Sequence, residues 1–134
     1  MFNCDMGKKI LIVDDDPDNS GMLQCALEAL GHWVKVCANG NEAVKTLHLC
    51  KPDLMIMDVM MPGMDGYSLT TGISEDPEFK DLPIIVMSSL EVSRRMFERF
   101  PQVVAFFRKP FDTDELLKAV KAEAEKNEGP GAKT

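Results

Sequence analysis

The sequence predicts an α/β domain, an open parallel sheet with helices on both faces. Three observations lead there. Apolar runs without alternation recur at residues 10–13, 54–57, 84–87 and 103–107, and runs of this length suit strands covered on both sides. Between them the apolar positions change to helical spacing. The chain has 134 residues, enough for one core and too few for two. A single domain over residues 1–134 is expected.

The elements follow in order. The first run, Ile10-Leu11-Ile12-Val13, comes after a polar N-terminus and stops at Asp14-Asp15-Asp16, so it is neither a signal peptide nor a membrane span. Leu23, Ala26, Leu27 and Leu30 then line one face of a helix that Gly31 ends. Asp16 or Asp18 stands where it would cap that helix. Trp33-Val34-Lys35-Val36-Cys37 alternates and reads as an edge strand. Asn39-Gly40-Asn41 opens a second helix with a stripe of Ala43, Val44, Leu47 and Cys50. Lys51-Pro52-Asp53 punctuates the chain before the third strand, and Asp65-Gly66 opens a shorter helix. Gly72 weakens that helix by about 1 kcal/mol relative to alanine.

Leu82-Pro83 precedes the fourth strand. The helix within 90–100 is the least regular, and it ends by Phe100 because Pro101 cannot continue it. After the fifth strand, Asp112 and Glu115 have capping-box spacing, with Leu116, Leu117 and Val120 facing inward. A tail without further elements begins at Asn127. Five strands thus alternate with five helices.

Charge excludes several partners. Lys and Arg number 15 against 22 acids, a formal charge of −7. That balance suits neither a direct grip on nucleic acid nor an anionic membrane surface. Cysteines stand at 4, 25, 37 and 50 without a CxxC pair, and His32 and His48 are isolated. Structural zinc is therefore not expected, and free thiols in a reducing cytoplasm are.

Ligands of open α/β sheets bind outside the carboxyl ends of the strands. The first strand ends in Asp14-Asp15-Asp16 and the third in Asp58. If those strands are neighbours, the carboxylates crowd one rim, where repulsion favours protonation or a bound cation. An all-oxygen donor set suits Mg²⁺. The fourth strand adds Ser88-Ser89 to the rim and the fifth adds Arg108-Lys109-Pro110. Carboxylates with Mg²⁺, a hydroxyl and a lysine suit a transferring phosphoryl group, with an aspartate as the attacking oxygen. Singly, each has a plainer role: acids at a helix start, Ser88 as a cap, Lys109 as a solvated charge.

Four motifs carry a resemblance: Ile10-Leu11-Ile12-Val13-Asp14-Asp15-Asp16, the stretch Met57-Asp58 to Asp65-Gly66, Pro83 to Ser88-Ser89, and Arg108-Lys109-Pro110-Phe111. In order and spacing the sequence resembles the receiver domain of two-component response regulators, over about residues 8–125. The resemblance implies a flavodoxin-like (βα)5 sandwich with strand order 2-1-3-4-5. It implies that Asp58 accepts a phosphoryl group from a sensor histidine kinase or a histidine phosphotransfer protein. Asp15 and Asp58 would ligate Mg²⁺ by side chains and Met60 by its backbone carbonyl, with Asp14 acting through water. Ser88 would turn toward the phosphoryl group and Lys109 would contact it, with a Lys109-Pro110 bond that is often cis. Phe106 fits the aromatic switch position and equally a core position on the fifth strand. The module would signal to a protein target or output domain, catalysing only its own phosphorylation and dephosphorylation.

The sequence also departs from that pattern. The stretch from Ser88 to Lys109 is about one residue short, and Arg99-Phe100-Pro101 replaces a common glycine-alanine turn, which alters the usual signalling face. Met60 and Leu90 have no side chain able to orient an attacking water, so slow loss of the phosphoryl group is expected. The methionine-rich loop 60–64 is expected to pack over the acidic pocket. Two rival readings stand beside this one. A small Mg²⁺-dependent phosphohydrolase of haloacid dehalogenase type would use Asp14 as nucleophile and Asp16 as its assistant. Pro17 and Asp18 break that motif, however, and the length leaves no room for a cap domain. A binding-only receiver with a vestigial pocket is opposed by the intact set Asp14, Asp15, Asp58, Ser88 and Lys109.

Overall fold

Among the described residues, strands and helices alternate along the chain. A computed structural model describes residues 7–61, 63–89 and 92–127. The elements are β1 (Lys9–Val13), α1 (Pro17–Ala29), β2 (Trp33–Cys37), α2 (Gly40–Cys50), β3 (Leu54–Asp58), α3 (Gly66–Glu75), β4 (Ile84–Ser88), α4 (Val92–Phe97), β5 (Val103–Arg108) and α5 (Thr113–Asn127). Cys4, Leu90 and the chain beyond 127, which includes most of the expected tail, lie outside the described residues.

The five strands form one sheet of order β2-β1-β3-β4-β5, and every neighbouring pair is parallel. This is the flavodoxin-like arrangement. Side chains on successive strand residues point to opposite faces, so β1 divides its residues between two cores. Leu11 and Val13 join Ala43 and Leu47 of α2, Leu69 and Ile73 of α3, and Phe97 of α4. Ile10 and Ile12 join Leu23 and Leu27 of α1 with Leu116 and Val120 of α5. Three helices therefore cover one face of the sheet and two cover the other.

Several sequence expectations need correction. The apolar run of β5 predicts a strand covered on both sides, yet none of its six residues is buried. It is an edge strand paired only with β4, and the pairing shifts register between Ile84 and Ile85. Leu30 is 57% exposed. Helix α1 stops one residue earlier, Leu30 forms its C-cap, and Gly31 turns the chain with φ of 97°. Val44 of the α2 stripe is exposed, while Cys50 and Leu117 are half-buried. Asp112 accepts the Asp114 N–H at 2.9 Å as a cap should. The Glu115 carboxylate instead lies 3.6 Å from Lys118, leaving the reciprocal arm of the capping box unmade.

The other end signals hold. Asp16 caps α1 through the Asp18 N–H, and Asp65 caps α3 through the Ser68 N–H. Helix α4 is only six residues long. Beyond it the N–H groups of Glu98 and Phe100 bond back three residues, to the carbonyls of Arg95 and Phe97, the tighter turns of a helix running out. Pro101 follows, and the buried Gln102 fixes the turn. Its side-chain Nε2 donates to the carbonyls of Phe79 at 3.1 Å and Leu82 at 2.8 Å.

Candidate functional site

Register brings the strand ends level. Val13 pairs with Met57, Asp58 with Met87, and Ser88 with Arg108. Strands β3, β4 and β5 run one residue past their apolar stretches, so Asp58, Ser88 and Arg108 are the last strand residues. Asp14 follows β1 directly, and its N–H donates to the Cys37 carbonyl at 3.0 Å. Adjacent parallel strands thereby deliver two acids to one rim.

Carboxylate oxygens of Asp14, Asp15 and Asp58 lie within 4.8 Å of one another. Asp14 and Asp58 are buried, at 2% and 6% exposure, and Asp15 is open to solvent. Lys109 points into this group, with Nζ 3.2 Å from Asp58 Oδ2 and 3.5 Å from Asp14 Oδ2. Its own N–H donates to the Ser88 carbonyl at 2.7 Å, and the Lys109-Pro110 bond that follows is cis. The two Asp58 oxygens differ: Oδ2 faces Lys109, while Oδ1 accepts the Met60 N–H at 3.3 Å. Burial raises the Asp58 carboxyl above the usual carboxylate range, the Lys109 charge lowers it, and the Asp14 charge raises it again. Three acids against one lysine leave net negative charge, and the donors are all oxygen, which fits a hard divalent cation.

Ser88 is buried at the end of β4, on the same rim. Phe106 lies one strand out, half-buried against the α2–α3–α4 core, with the Arg94 guanidinium 5.2 Å from its ring. Asp16 is drawn off to cap α1, and Ser89 is exposed. The methionines of the loop go to different places. Met61 is buried in the core, and Met64 packs so closely on the start of α2 that a Cβ on Gly40 would come within 2.9 Å of it. Only Met60 is left largely exposed, at 54%. Cys25, Cys37 and Cys50 are free thiols. Cys37 is buried 3.2 Å from the Thr46 hydroxyl, and burial raises its thiol pKa.

One site neighbour escaped the sequence reading. Asn19, on the first turn of α1, donates from Nδ2 to Asp14 Oδ2 at 2.6 Å and lies 3.6 Å from Met87 Sδ. Its position inside the helix start, five residues after Asp14, was the available signal.

Comparison with known proteins bears on the family and the fold. Residues 10–121 match the family model of the response regulator receiver domain. Protein PilH of Pseudomonas aeruginosa is 32% identical over 115 residues, covering 85% of this chain and 95% of that one. The phosphate regulon transcriptional regulatory protein PhoB of Rhizobium meliloti is 37% identical over 85% of this chain. The match takes in 51% of PhoB, and the chain spans about half the length of other transcriptional regulators it matches. Among solved structures, a response regulator from Chloroflexus aurantiacus superimposes with a TM-score of 0.82 at 31% identity, covering 89% of this chain and 98% of that one. The receiver domain of a sensor histidine kinase from Pseudomonas aeruginosa, with magnesium coordinated in its active site cleft, gives 0.79 at 29% identity and the same coverage.

Proposed function

This chain belongs to the receiver-domain family of response regulators, and from that membership we propose that Asp58 accepts a phosphoryl group from the phosphohistidine of a sensor histidine kinase or histidine phosphotransfer protein. The observation that carries the proposal is the Asp58 carboxylate itself. It is buried at the rim, 3.2 Å from Lys109 Nζ, with Asp14 and Asp15 beside it. Asp14, Asp15 and Asp58, with the Met60 carbonyl, would hold Mg²⁺. The ion supplies positive charge that steadies the oxygens of the phosphoryl group.

In the transfer, an Asp58 oxygen forms a bond to phosphorus as the phosphorus–nitrogen bond of the donor breaks. The electron pair of that bond returns to the imidazole. Lys109 offers its ammonium to the incoming oxygens, which compete with Asp14 and Asp58 for it. The Ser88 hydroxyl is the rim's further donor. New partners for Ser88 and Lys109 favour one of two pre-existing conformations, and Phe106 reports the change on the α4 side. Output passes to a protein target or a fused domain, with no separate substrate turned over. Among the described residues no helix is long and apolar enough to cross a membrane, and a cytoplasmic location suits the proposed phosphodonors.

Intact-mass measurement tests the proposal. The protein incubated with Mg²⁺ and acetyl phosphate is expected to gain one phosphoryl group that outlasts the first seconds, and Asp58→Asn is expected to gain none. An adduct kept by Asp58→Asn but lost in Asp14→Asn would favour the haloacid dehalogenase-type reading. No adduct under any condition would favour a binding-only receiver.

A further inference from the structure

We propose that Asn19 is a positioning residue for the acidic rim: its carboxamide holds the Asp14 carboxylate in place for cation binding. The inference rests on the reading that the rim holds Mg²⁺, and it concerns a residue outside the expected ligand set. Asp14 has a fully buried side chain, so its oxygens must find partners within the protein. Oδ1 accepts the N–H of Asp16 at 3.0 Å. Oδ2 accepts the Asn19 amide at 2.6 Å and faces Lys109 at 3.5 Å. The amide must present nitrogen there, because a carboxylate only accepts.

The consequence is geometric. Lys109 lies closer to Asp58 Oδ2, at 3.2 Å, than to Asp14 Oδ2. A neutral donor on Asp14 satisfies that oxygen without drawing on the one lysine. Without the amide, Asp14 has Lys109 as its remaining partner at Oδ2, and the carboxylate and the ammonium close on each other. Asp14 then loses the donor that fixes its orientation beside Asp15 and Asp58, and its carboxylate is free to rotate out of the arrangement a cation needs. Asn19 is also fixed from behind, since it lies in the first turn of α1 and touches Met87 of β4. It thus ties Asp14 to two elements besides β1. Outer groups that orient a metal ligand commonly change metal affinity by 10–100-fold.

Calorimetric titration with MgCl₂ tests this in the absence of any phosphodonor. Asn19→Leu, close in size but without a donor, is expected to bind Mg²⁺ about tenfold more weakly than the parent. Its thermal midpoint in chelator verifies folding, and Asn19→Ala serves if the leucine variant does not fold. A double-mutant cycle with Asp14→Asn separates positioning from general structural damage. The cycle is read with Mn²⁺ by water-proton relaxation, which registers weak binding. If Asn19 acts through Asp14, its substitution is expected to cost nothing further in the Asp14→Asn background. Unchanged Mg²⁺ affinity in Asn19→Leu, or the same loss in both backgrounds, would overturn the inference. A parent protein that binds no Mg²⁺ would instead sink the metal reading on which it rests.

Discussion

His32 shows how one half-buried side chain links stability to pH. Its Nδ1 accepts the Lys8 N–H at 3.1 Å, which requires an unprotonated nitrogen there. Burial, and secondarily the Lys8 charge, hold its pKa below the ordinary 6.5. The unfolded chain therefore binds a proton near pH 6.5 that the folded chain refuses. Protons bound by the unfolded state exceed those of the native state, so stability falls as pH drops below about 6.5 and through the lower folded pKa. Replacement by glutamine is expected to flatten that part of the pH profile. Urea midpoints at pH 7.5 and 5.5 check it: an equal fall in parent and His32→Gln would reject the assignment. Roles of this kind were poorly legible in the sequence. His32 and Gln102 act on backbone groups that tertiary packing brings near, which no local spacing announces, and Asn19 had only its five-residue spacing from Asp14 as a signal. Asp14, Asp58, Ser88 and Lys109 were legible because each ends or follows an apolar strand, and topology does the rest.

At the scale of the element, α3 holds two glycines with opposite meanings. A Cβ on Gly66 would lie 2.8 Å from the Val59 Cα and 3.0 Å from the Asp58 carbonyl oxygen. Those are backbone atoms that cannot step aside, so the helix start lies directly against the end of β3. Gly72 meets nothing within 4 Å. Gly66→Ala is expected to destabilise by about 1–3 kcal/mol through overpacking. Gly72→Ala is expected to stabilise by about 1 kcal/mol through helix propensity and lost chain entropy. Urea denaturation of the two variants should move the midpoint in opposite directions, and a shared sign would refute the packing argument. Elements were the most legible level, since period two and period 3.6 survive in the sequence. The exposure of β5 did not, because Val103-Val104-Ala105-Phe106-Phe107 is apolar whether one neighbour flanks it or two. Nor did the fate of Met64, which packs on the start of α2.

For the whole molecule, the acidic rim is a concentration of like charge inside a chain that is already −7. A cation that binds only the folded form adds stability by mass action, about 2.7 kcal/mol at a hundred times its dissociation constant. Thermal unfolding in millimolar Mg²⁺ and in chelator is expected to show a higher midpoint with the ion, and coincident curves would count against the site. The fold class was legible at this scale because strand and helix alternation permits few topologies. The order of the strands was not derivable from alternation, and it is the order that makes β1 and β3 neighbours. That adjacency also fixes a sequence of events during synthesis. Asp14 and Asp58 meet once β3 pairs with β1, but Lys109 lies 51 residues beyond Asp58. At ribosomal speeds of roughly 5–20 residues per second, Lys109 joins the chain several seconds after Asp58. Until then the rim has no Lys109 to balance it, and a cation from solution can take that place.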